Sequence, residues 1–301
     1  MQQIIRQIPS VYDVQLMLKR MALDPLYNVD IDQRQVKLPL PGERQLDTVT
    51  LGFVEHQSKT YVYIEAPESR EQEAVNKIER IFRFHQPLEQ AAGHFQGTEL
   101  EPLFRRFYGA PLTCDFDLYG CLIKTIIHQQ LNMAFAYTLS TRFAQTYGVF
   151  KDGVWFYPGP EVTAAIHPDE LRRLQFSQRK AEYVVDVSKS IVQGTLDIDS
   201  LQKKTDEDVI KELTQHRGIG SWTAECFLLF GLGRENLMPA ADIGVQNGLK
   251  KLLGLEAKPS KTEITEWARR WSPYNSYASI YLWLHMEIPD KGEDMRARAK
   301  K

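Results

Sequence analysis

Residues 216–224 read HRGIGSWTA, and segments with the apolar spacing of helices flank them on both sides. Upstream, the apolar side chains of residues 209–213 share one helical face, and downstream residues 223–230 are mostly apolar. Two glycines two positions apart, Gly218 and Gly220, allow a sharp turn with positive φ and a close approach of the backbone to another molecule. The pattern predicts two helices joined by a tight hairpin.

An aspartate follows this hairpin. The segment PAADIGV occupies residues 239–245 and places Asp242 22 residues after Gly220. The amides of a glycine turn at the start of a helix form a site for a phosphate.

The hairpin and Asp242 together resemble the helix-hairpin-helix superfamily of DNA glycosylases, and most closely its alkylbase branch, the bacterial DNA-3-methyladenine glycosylases of type II. The resemblance extends from about residue 117 to about residue 287 and places the helix-hairpin-helix at about residues 205–231. It implies an N-terminal domain over residues 1–95, docked on a helical glycosylase core over residues 96–301. It also implies double-stranded DNA with a flipped damaged base as the partner.

The predicted fold class is α+β, mainly α. Alternating or β-branched runs predict a small antiparallel N-terminal sheet, with turns at Gly42 and residues 57–59. Ser69 and Gln72 fit a capping box that opens a helix to about residue 84. The predicted strands cover residues 36–40, 49–53 and 61–64, and helical patterns follow near residues 118–126, 134–148, 168–174, 177–192, 205–215, 264–271 and 276–286.

Composition places the chain among ordinary globular proteins. The 301 residues are 43% hydrophobic and 25% charged, and no apolar run predicts a membrane span or a signal peptide. Three scattered cysteines favour a reducing cytoplasm. The resemblance implies a bacterial cytoplasm, with action at the nucleoid. The net charge of −2 argues against a DNA coat protein but permits an enzyme that contacts few phosphates. Residues 290–301 are expected to form a solvated tail, and no obligate protein partner is evident.

Asp242 is the predicted catalytic residue. Cleavage of the bond between a base and deoxyribose passes through a sugar with oxocarbenium character, which a carboxylate near the anomeric carbon stabilises. The same carboxylate can orient or deprotonate the attacking water. The alternative interpretation is that Asp242 only caps a helix that starts at Ile243, since aspartate is a favoured N-cap residue.

Trp222 bears on the reaction type. In family members that also cut the DNA backbone, a lysine two residues after the second hairpin glycine forms a Schiff base with the sugar, and this chain has Trp222 there. The resemblance thus implies a monofunctional enzyme without lyase activity. It also implies that Trp222 and Trp283 form an electron-rich pocket for cationic bases. The alternative is that both tryptophans are core residues.

Polar side chains interrupt an apolar helix pattern at residues 128–132, HQQLN. In the family, the matching loop inserts a side chain into the duplex where the base has left. The alignment puts Gln130 at that position with Leu131 beside it; relatives carry leucine there, so the identity of the inserted side chain stays open. The alternative is a polar helix junction with Asn132 as an N-cap.

The resemblance assigns further roles to the hairpin. Gly218, Ile219 and Gly220 are expected to contact DNA, and the backbone carbonyls of Thr214, His216 and Ile219 to hold a monovalent cation. No cofactor is expected to be required. The iron–sulfur branch is excluded, because its members need four cysteines beyond the aspartate and this chain has none there.

The leading hypothesis is a monofunctional DNA glycosylase that releases alkylated purines of the 3-methyladenine type, the first step of base excision repair. Two alternatives are a non-catalytic helix-hairpin-helix DNA-binding protein and a glycosylase for oxidised or mismatched bases. Cys226 and Ile243 stand where the closest relatives have aromatic residues. The range of damaged bases therefore stays open.

Overall fold

The computed structural model describes residues 2–42 and 45–288. These residues form two compact units. The described parts of Met1–Gln86 and Thr113–Gly233 form the first unit, and those of Pro87–Leu112 and Arg234–Lys301 the second. The hairpin lies in the first unit, and Asp242 and Trp283 lie in the second. The domain boundary near residue 95 stays a prediction, and the predicted tail lies outside the described residues.

A small antiparallel sheet dominates the N-terminal segment. The elements of this segment are β1 (Gln2–Ile8), α1 (Val14–Met21), β2 (Asn28–Asp30), β3 (Gln35–Leu40), β4 (Asp47–His56), β5 (Lys59–Ala66) and α2 (Glu71–Phe82). The strands pair in the order β1-β5-β4-β3-β2, which confirms the predicted sheet and adds two edge strands, β1 and β2. The predicted turn at residues 57–59 joins β4 to β5, with φ of 50° at Gln57 and 61° at Ser58.

The start of α2 differs from the prediction. A short 3-10 turn over Glu68–Arg70 precedes the helix, which begins at Glu71 without a side-chain cap, so the predicted capping box of Ser69 and Gln72 is wrong. Arg70 instead fastens this end to the sheet, since its guanidinium donates to Asp47 at 2.9 Å and to the carbonyl oxygen of Leu40 at 2.7 Å. These long-range hydrogen bonds of Arg70 stand in place of the predicted local cap.

Helices build the rest of the chain, which confirms the mainly α class. A pair of short antiparallel strands within residues 149–156 was not predicted. The second unit contains α3 (Leu88–His94) and α4 (Glu101–Arg106). The chain then returns to the first unit with α5 (Leu118–His128), α6 (Met133–Tyr147), β6 (Val149–Lys151), β7 (Val154–Phe156), α7 (Pro160–Ala164), α8 (Pro168–Arg173), α9 (Gln178–Val192), α10 (Asp206–Leu213) and α11 (Ser221–Cys226). The last three helices belong to the second unit: α12 (Ile243–Leu253), α13 (Lys261–Trp271) and α14 (Asn275–Glu287).

Buried apolar side chains explain these elements. Alternate residues of β5 are buried, and α2 packs its buried face against this strand. Helix α11 continues as a π-helical turn over Phe227–Gly231, whose Phe227, Leu228 and Leu229 are fully buried. Among the described residues, no helix has the length and apolar character needed to cross a bilayer.

Candidate nucleic-acid interface and active site

The hairpin has two glycines with different backbone conformations. Helix α10 ends at Leu213 and α11 begins at Ser221, as the sequence predicts. Gly218 has a φ of 96°, a left-handed conformation that side chains disfavour. Gly220 has φ −94° and ψ 175°, which any residue adopts. The prediction that both glycines provide positive φ is therefore wrong for Gly220.

Helix α9 supports the hairpin through Tyr183. A Cβ on Gly218 would lie 2.3 Å from the Cγ of Tyr183, so the backbone rests directly on this ring. The guanidinium of Arg217 lies over the same ring at 5.4 Å and pairs with Glu182 at 2.6 Å and Asp186 at 3.4 Å. Carboxylates of α9 thus offset the charge of Arg217.

Gly220 presents its backbone to open space. A Cβ built on Gly220 would meet no heavy atom within 4 Å. Ser221 after it is exposed, and Trp222 is half-buried in the first turn of α11. The hairpin is therefore closely supported beneath Gly218 and open at Gly220, the arrangement that a backbone amide needs to reach an external phosphate.

The loop between α5 and α6 is tied to the hairpin by Gln129. Its side-chain amide donates to the carbonyl oxygen of Gly218 at 2.7 Å and to Oγ1 of Thr223 at 2.8 Å. The next residue, Gln130, is exposed with a φ of 56°, whereas Leu131 is half-buried. Of the two candidates for an inserted side chain, Gln130 is thus the more projecting one.

The predicted junction at Asn132 is confirmed. Asn132 is the N-cap of α6, and its side-chain oxygen accepts a hydrogen bond from the amide of Phe135 at 3.0 Å. This cap fixes the C-terminal end of the loop that carries Gln130.

Lys180 fixes the other end of this loop, and sequence analysis missed it. Its Nζ donates to the carbonyl oxygens of Ile126 at 3.0 Å, Ile127 at 2.8 Å and Gln129 at 2.9 Å, at the C-terminus of α5. Lys180 is only 8% exposed, and burial lowers the pKa of its ammonium to about 8. The available signal was its helical spacing with Val184, which places a lysine on the buried face of α9.

Replacement of this lysine tests how much the tie contributes. Lys180→Met is expected to lower the free energy of unfolding by about 2 kcal/mol, because three carbonyl groups lose their buried donor. Urea unfolding measures the change. The matched control is Lys189→Met on the exposed face of the same helix, for which we expect a change within about 0.5 kcal/mol. Equal stability of the two variants would contradict the assigned role of Lys180.

One carboxylate oxygen of Asp242 accepts hydrogen bonds from Val245 and Trp283. Asp242 is the N-cap of α12, as the capping interpretation predicts, and its Oδ1 accepts a hydrogen bond from the amide of Val245 at 2.8 Å. The indole Nε1 of Trp283, on α14, donates to the same oxygen at 2.8 Å. Both side chains are half-buried. The structure therefore joins two of the predicted site residues, the carboxylate and a tryptophan.

Two glycines of α12 allow this contact. A Cβ on Gly244 would lie 2.7 Å from Cδ1 of Trp283, and a Cβ on Gly248 would lie 2.9 Å from the carbonyl oxygen of Leu282. Gly244 and Gly248 are four residues apart and so lie on one helical face. Their missing side chains let α12 approach α14 closely.

The predicted cation ligands lie in the hairpin, and Cys226 and Ile243 lie in different units. Thr214, His216 and Ile219 lie in the turn between α10 and α11, where the amide of Ile219 donates to the carbonyl oxygen of His216 at 3.1 Å. Cys226 is 4% exposed within the first unit, and Ile243 beside Asp242 is 59% exposed in the second.

Comparisons with known proteins identify the family of this chain. Residues 123–273 match the family model of the HhH-GPD superfamily base excision DNA repair proteins. A Bacillus subtilis protein, YfjP, whose name provisionally describes a DNA-3-methyladenine glycosylase, is 43% identical over 92% of this chain and 96% of its own length.

Two solved structures share the fold. The 3-methyladenine DNA-glycosylase of Archaeoglobus fulgidus has a TM-score of 0.81 and 23% identity, covering 96% of this chain and 99% of its own. The 3-methyladenine DNA glycosylase Mag1 of Schizosaccharomyces pombe, solved with abasic DNA, has a TM-score of 0.60 and 26% identity, covering 66% of this chain and 97% of its own.

Proposed function

This chain belongs to the HhH-GPD superfamily of base excision DNA repair proteins, and we propose that it is a DNA glycosylase for alkylated purines of the 3-methyladenine type in double-stranded DNA. The observation that carries the proposal is the carboxylate of Asp242, fixed at the start of α12 by Val245 and Trp283, 22 residues after the hairpin. A protein that only binds DNA needs a helix cap at most, which the bond from Val245 provides, whereas the bond from Trp283 goes beyond capping.

The proposed reaction is hydrolysis of the N-glycosidic bond. An N-alkylated purine is cationic and leaves as a neutral base, so positive charge develops on the deoxyribose. The carboxylate of Asp242 stabilises that charge and directs a water molecule to the anomeric carbon. As this water adds to the sugar, it gives up one proton to the carboxylate or to solvent. The products are the released base and an abasic site.

The hairpin supplies the proposed grip on DNA. The turn of Gly218, Ile219 and Gly220 binds a backbone phosphate through the amides of the two glycines, since the amide of Ile219 already donates to the carbonyl oxygen of His216. Gln130, with Leu131 beside it, fills the space that the flipped base leaves in the duplex. Two observations support this role of Gln130. Its side chain is exposed, and its neighbour Gln129 is hydrogen-bonded to the hairpin.

The aromatic side chains serve the flipped base. We assign Trp222 and Trp283 to the pocket, where their faces attract a cationic purine through stacking and cation–π contact. Both are half-buried, which leaves part of each indole accessible. With Cys226 and Ile243 in place of aromatic residues, fewer stacking faces are available than in glycosylases that carry aromatic residues at these positions.

A monovalent cation suits the hairpin turn. The carbonyl oxygens of Thr214, His216 and Ile219 are hard, neutral ligands within one turn of six residues, a donor set that fits such an ion. A bound cation would add positive charge beside the phosphate. The cation takes no part in the proposed reaction, which is assigned to the chain's own residues.

The three cysteines of the chain are buried free thiols, which suit a reducing cytoplasm.

The test is base release from duplex DNA treated with a methylating agent. We expect chromatography to show 3-methyladenine and related cationic purines among the freed bases, and none from untreated DNA. Duplexes with a single oxidised or mismatched base provide the comparison. Release from those duplexes alone would contradict the assignment to alkylated purines.

The DNA product is expected to be an intact strand with an abasic site. Since Trp222 occupies the position of the lyase lysine, no amine is placed there to form a Schiff base. Borohydride should therefore trap no covalent protein–DNA adduct, and strand breaks should appear only after alkali. The matched variant is Trp222→Lys, which restores the amine. A strong adduct with the wild-type chain would contradict the monofunctional assignment.

A further inference from the structure

A role of Trp283 in stacking on the base does not explain its hydrogen bond to Asp242. A stacking role uses the face of the indole, whereas this contact uses its edge: Nε1 donates to Oδ1 of Asp242 at 2.8 Å. The contact joins α14 to the N-terminus of α12, over 41 residues of sequence.

One donor alone would leave the carboxylate poorly oriented. The terminal torsion of an aspartate is broad and roughly two-fold, so the amide of Val245 can donate to either carboxylate oxygen. The second donor removes that freedom, because Val245 and Trp283 both bond to Oδ1 from different helices. Hydrogen bonds to a charged group of this kind are among the stronger ones in proteins.

The backbone is built around this contact. Gly244 lacks the Cβ that would lie 2.7 Å from Cδ1 of Trp283, 2.8 Å from its Nε1 and 2.9 Å from Oδ1 of Asp242. A side chain here would therefore push against both partners of the hydrogen bond.

We propose that Trp283 is a positioning residue for Asp242, whose indole N–H holds the carboxylate in the orientation that stabilises the cationic sugar. The inference rests on the proposed function of Asp242 and deepens it. It differs from the pocket role because it concerns the sugar and not the base. Catalysis by charge stabilisation depends on a carboxylate that is oriented before the reaction begins.

Two abasic duplexes separate the two roles, because neither contains a base that could stack. One carries a neutral tetrahydrofuran in place of the damaged nucleoside. The other carries a pyrrolidine whose protonated ring nitrogen resembles the cationic sugar of the transition state, so an oriented carboxylate should bind it more tightly. The affinity ratio between the duplexes reports the charge interaction with the sugar.

The test variant is Trp283→Phe, which keeps an aromatic ring and loses the N–H. We expect about a tenfold loss of affinity for the pyrrolidine duplex, with affinity for the tetrahydrofuran duplex unchanged within about twofold. The rate of base release at saturating DNA should fall by a similar factor. An unchanged affinity ratio would overturn the inference and leave Trp283 as a wall of the pocket.

Two further variants keep the test decisive. Trp267→Phe makes the same chemical change in α13 and should leave the ratio as in wild type. Gly244→Ala retains the indole N–H but displaces it, and should lower the ratio as Trp283→Phe does. This variant decides the question if Trp283→Phe fails to fold, and a wild-type ratio in folded Gly244→Ala would overturn the inference.

The failure of the proposed function gives a different result. Asp242→Asn should abolish the preference for the pyrrolidine duplex altogether. A wild-type ratio in that variant would show that Asp242 does not face the sugar, whereas a lost ratio there with an unchanged ratio in Trp283→Phe would overturn only the inference about Trp283.

Discussion

Asp242→Asn is expected to slow base release by at least about a hundredfold, because it removes the negative charge that opposes the developing cation on the sugar. The fold should persist, since asparagine caps helices as well as aspartate does and its side-chain oxygen can still accept the bonds from Val245 and Trp283. Single-turnover base release from methylated duplex DNA measures the effect, and thermal unfolding verifies the fold.

The matched control for this variant is Asp13→Asn. Asp13 is the N-cap of α1, and its Oδ1 accepts a hydrogen bond from the amide of Leu16 at 2.8 Å, the same local geometry as at Asp242. Loss of activity in the Asp242 variant alone would separate chemistry from capping. If both variants released bases at the wild-type rate, Asp242 would be a helix cap and nothing more.

Sequence reasoning succeeded where the signal is local. The helix pair around the hairpin and the cap at Asp242 follow from short-range spacing and from residue types with strong conformational preferences, so the structure confirms both. The two central glycines look alike in sequence, yet Gly218 has positive φ and Gly220 does not. Their surroundings differ as well, since Tyr183, on another helix, lies directly beneath Gly218, whereas a Cβ at Gly220 would meet no heavy atom within 4 Å.

Contacts between distant segments were beyond sequence reasoning. The bond from Trp283 to Asp242 depends on the close approach of α12 and α14, which two glycines on one face permit. Lys180 was missed for a related reason: a lysine is normally solvated, and only the fold brings the end of α5 to its ammonium. Arg70 shows the same limit, since its tie to the sheet replaced the predicted cap of α2.

Gly220→Val is expected to weaken binding to any duplex, damaged or undamaged, by about tenfold or more, with little change in stability. The backbone of Gly220 is extended and a Cβ there meets nothing within 4 Å, so the folded chain accepts valine. A DNA phosphate that approaches the amides of the hairpin would meet the new side chain, and the loss of a hydrogen bond to a charged group has about this effect on affinity. Fluorescence anisotropy with both kinds of duplex measures it.

Two other glycine variants make this result specific. Gly93→Val places the same side chain in α3, where a Cβ also meets nothing within 4 Å, and should bind DNA as the wild type does. Gly218→Ala should fail differently, with lower stability as well as weaker binding, because alanine is strained at a φ of 96° and its Cβ would lie 2.3 Å from Tyr183. Normal binding of undamaged duplex by Gly220→Val would show that these amides do not grip a phosphate. The open face of the hairpin at Gly220 would then have a role other than phosphate binding.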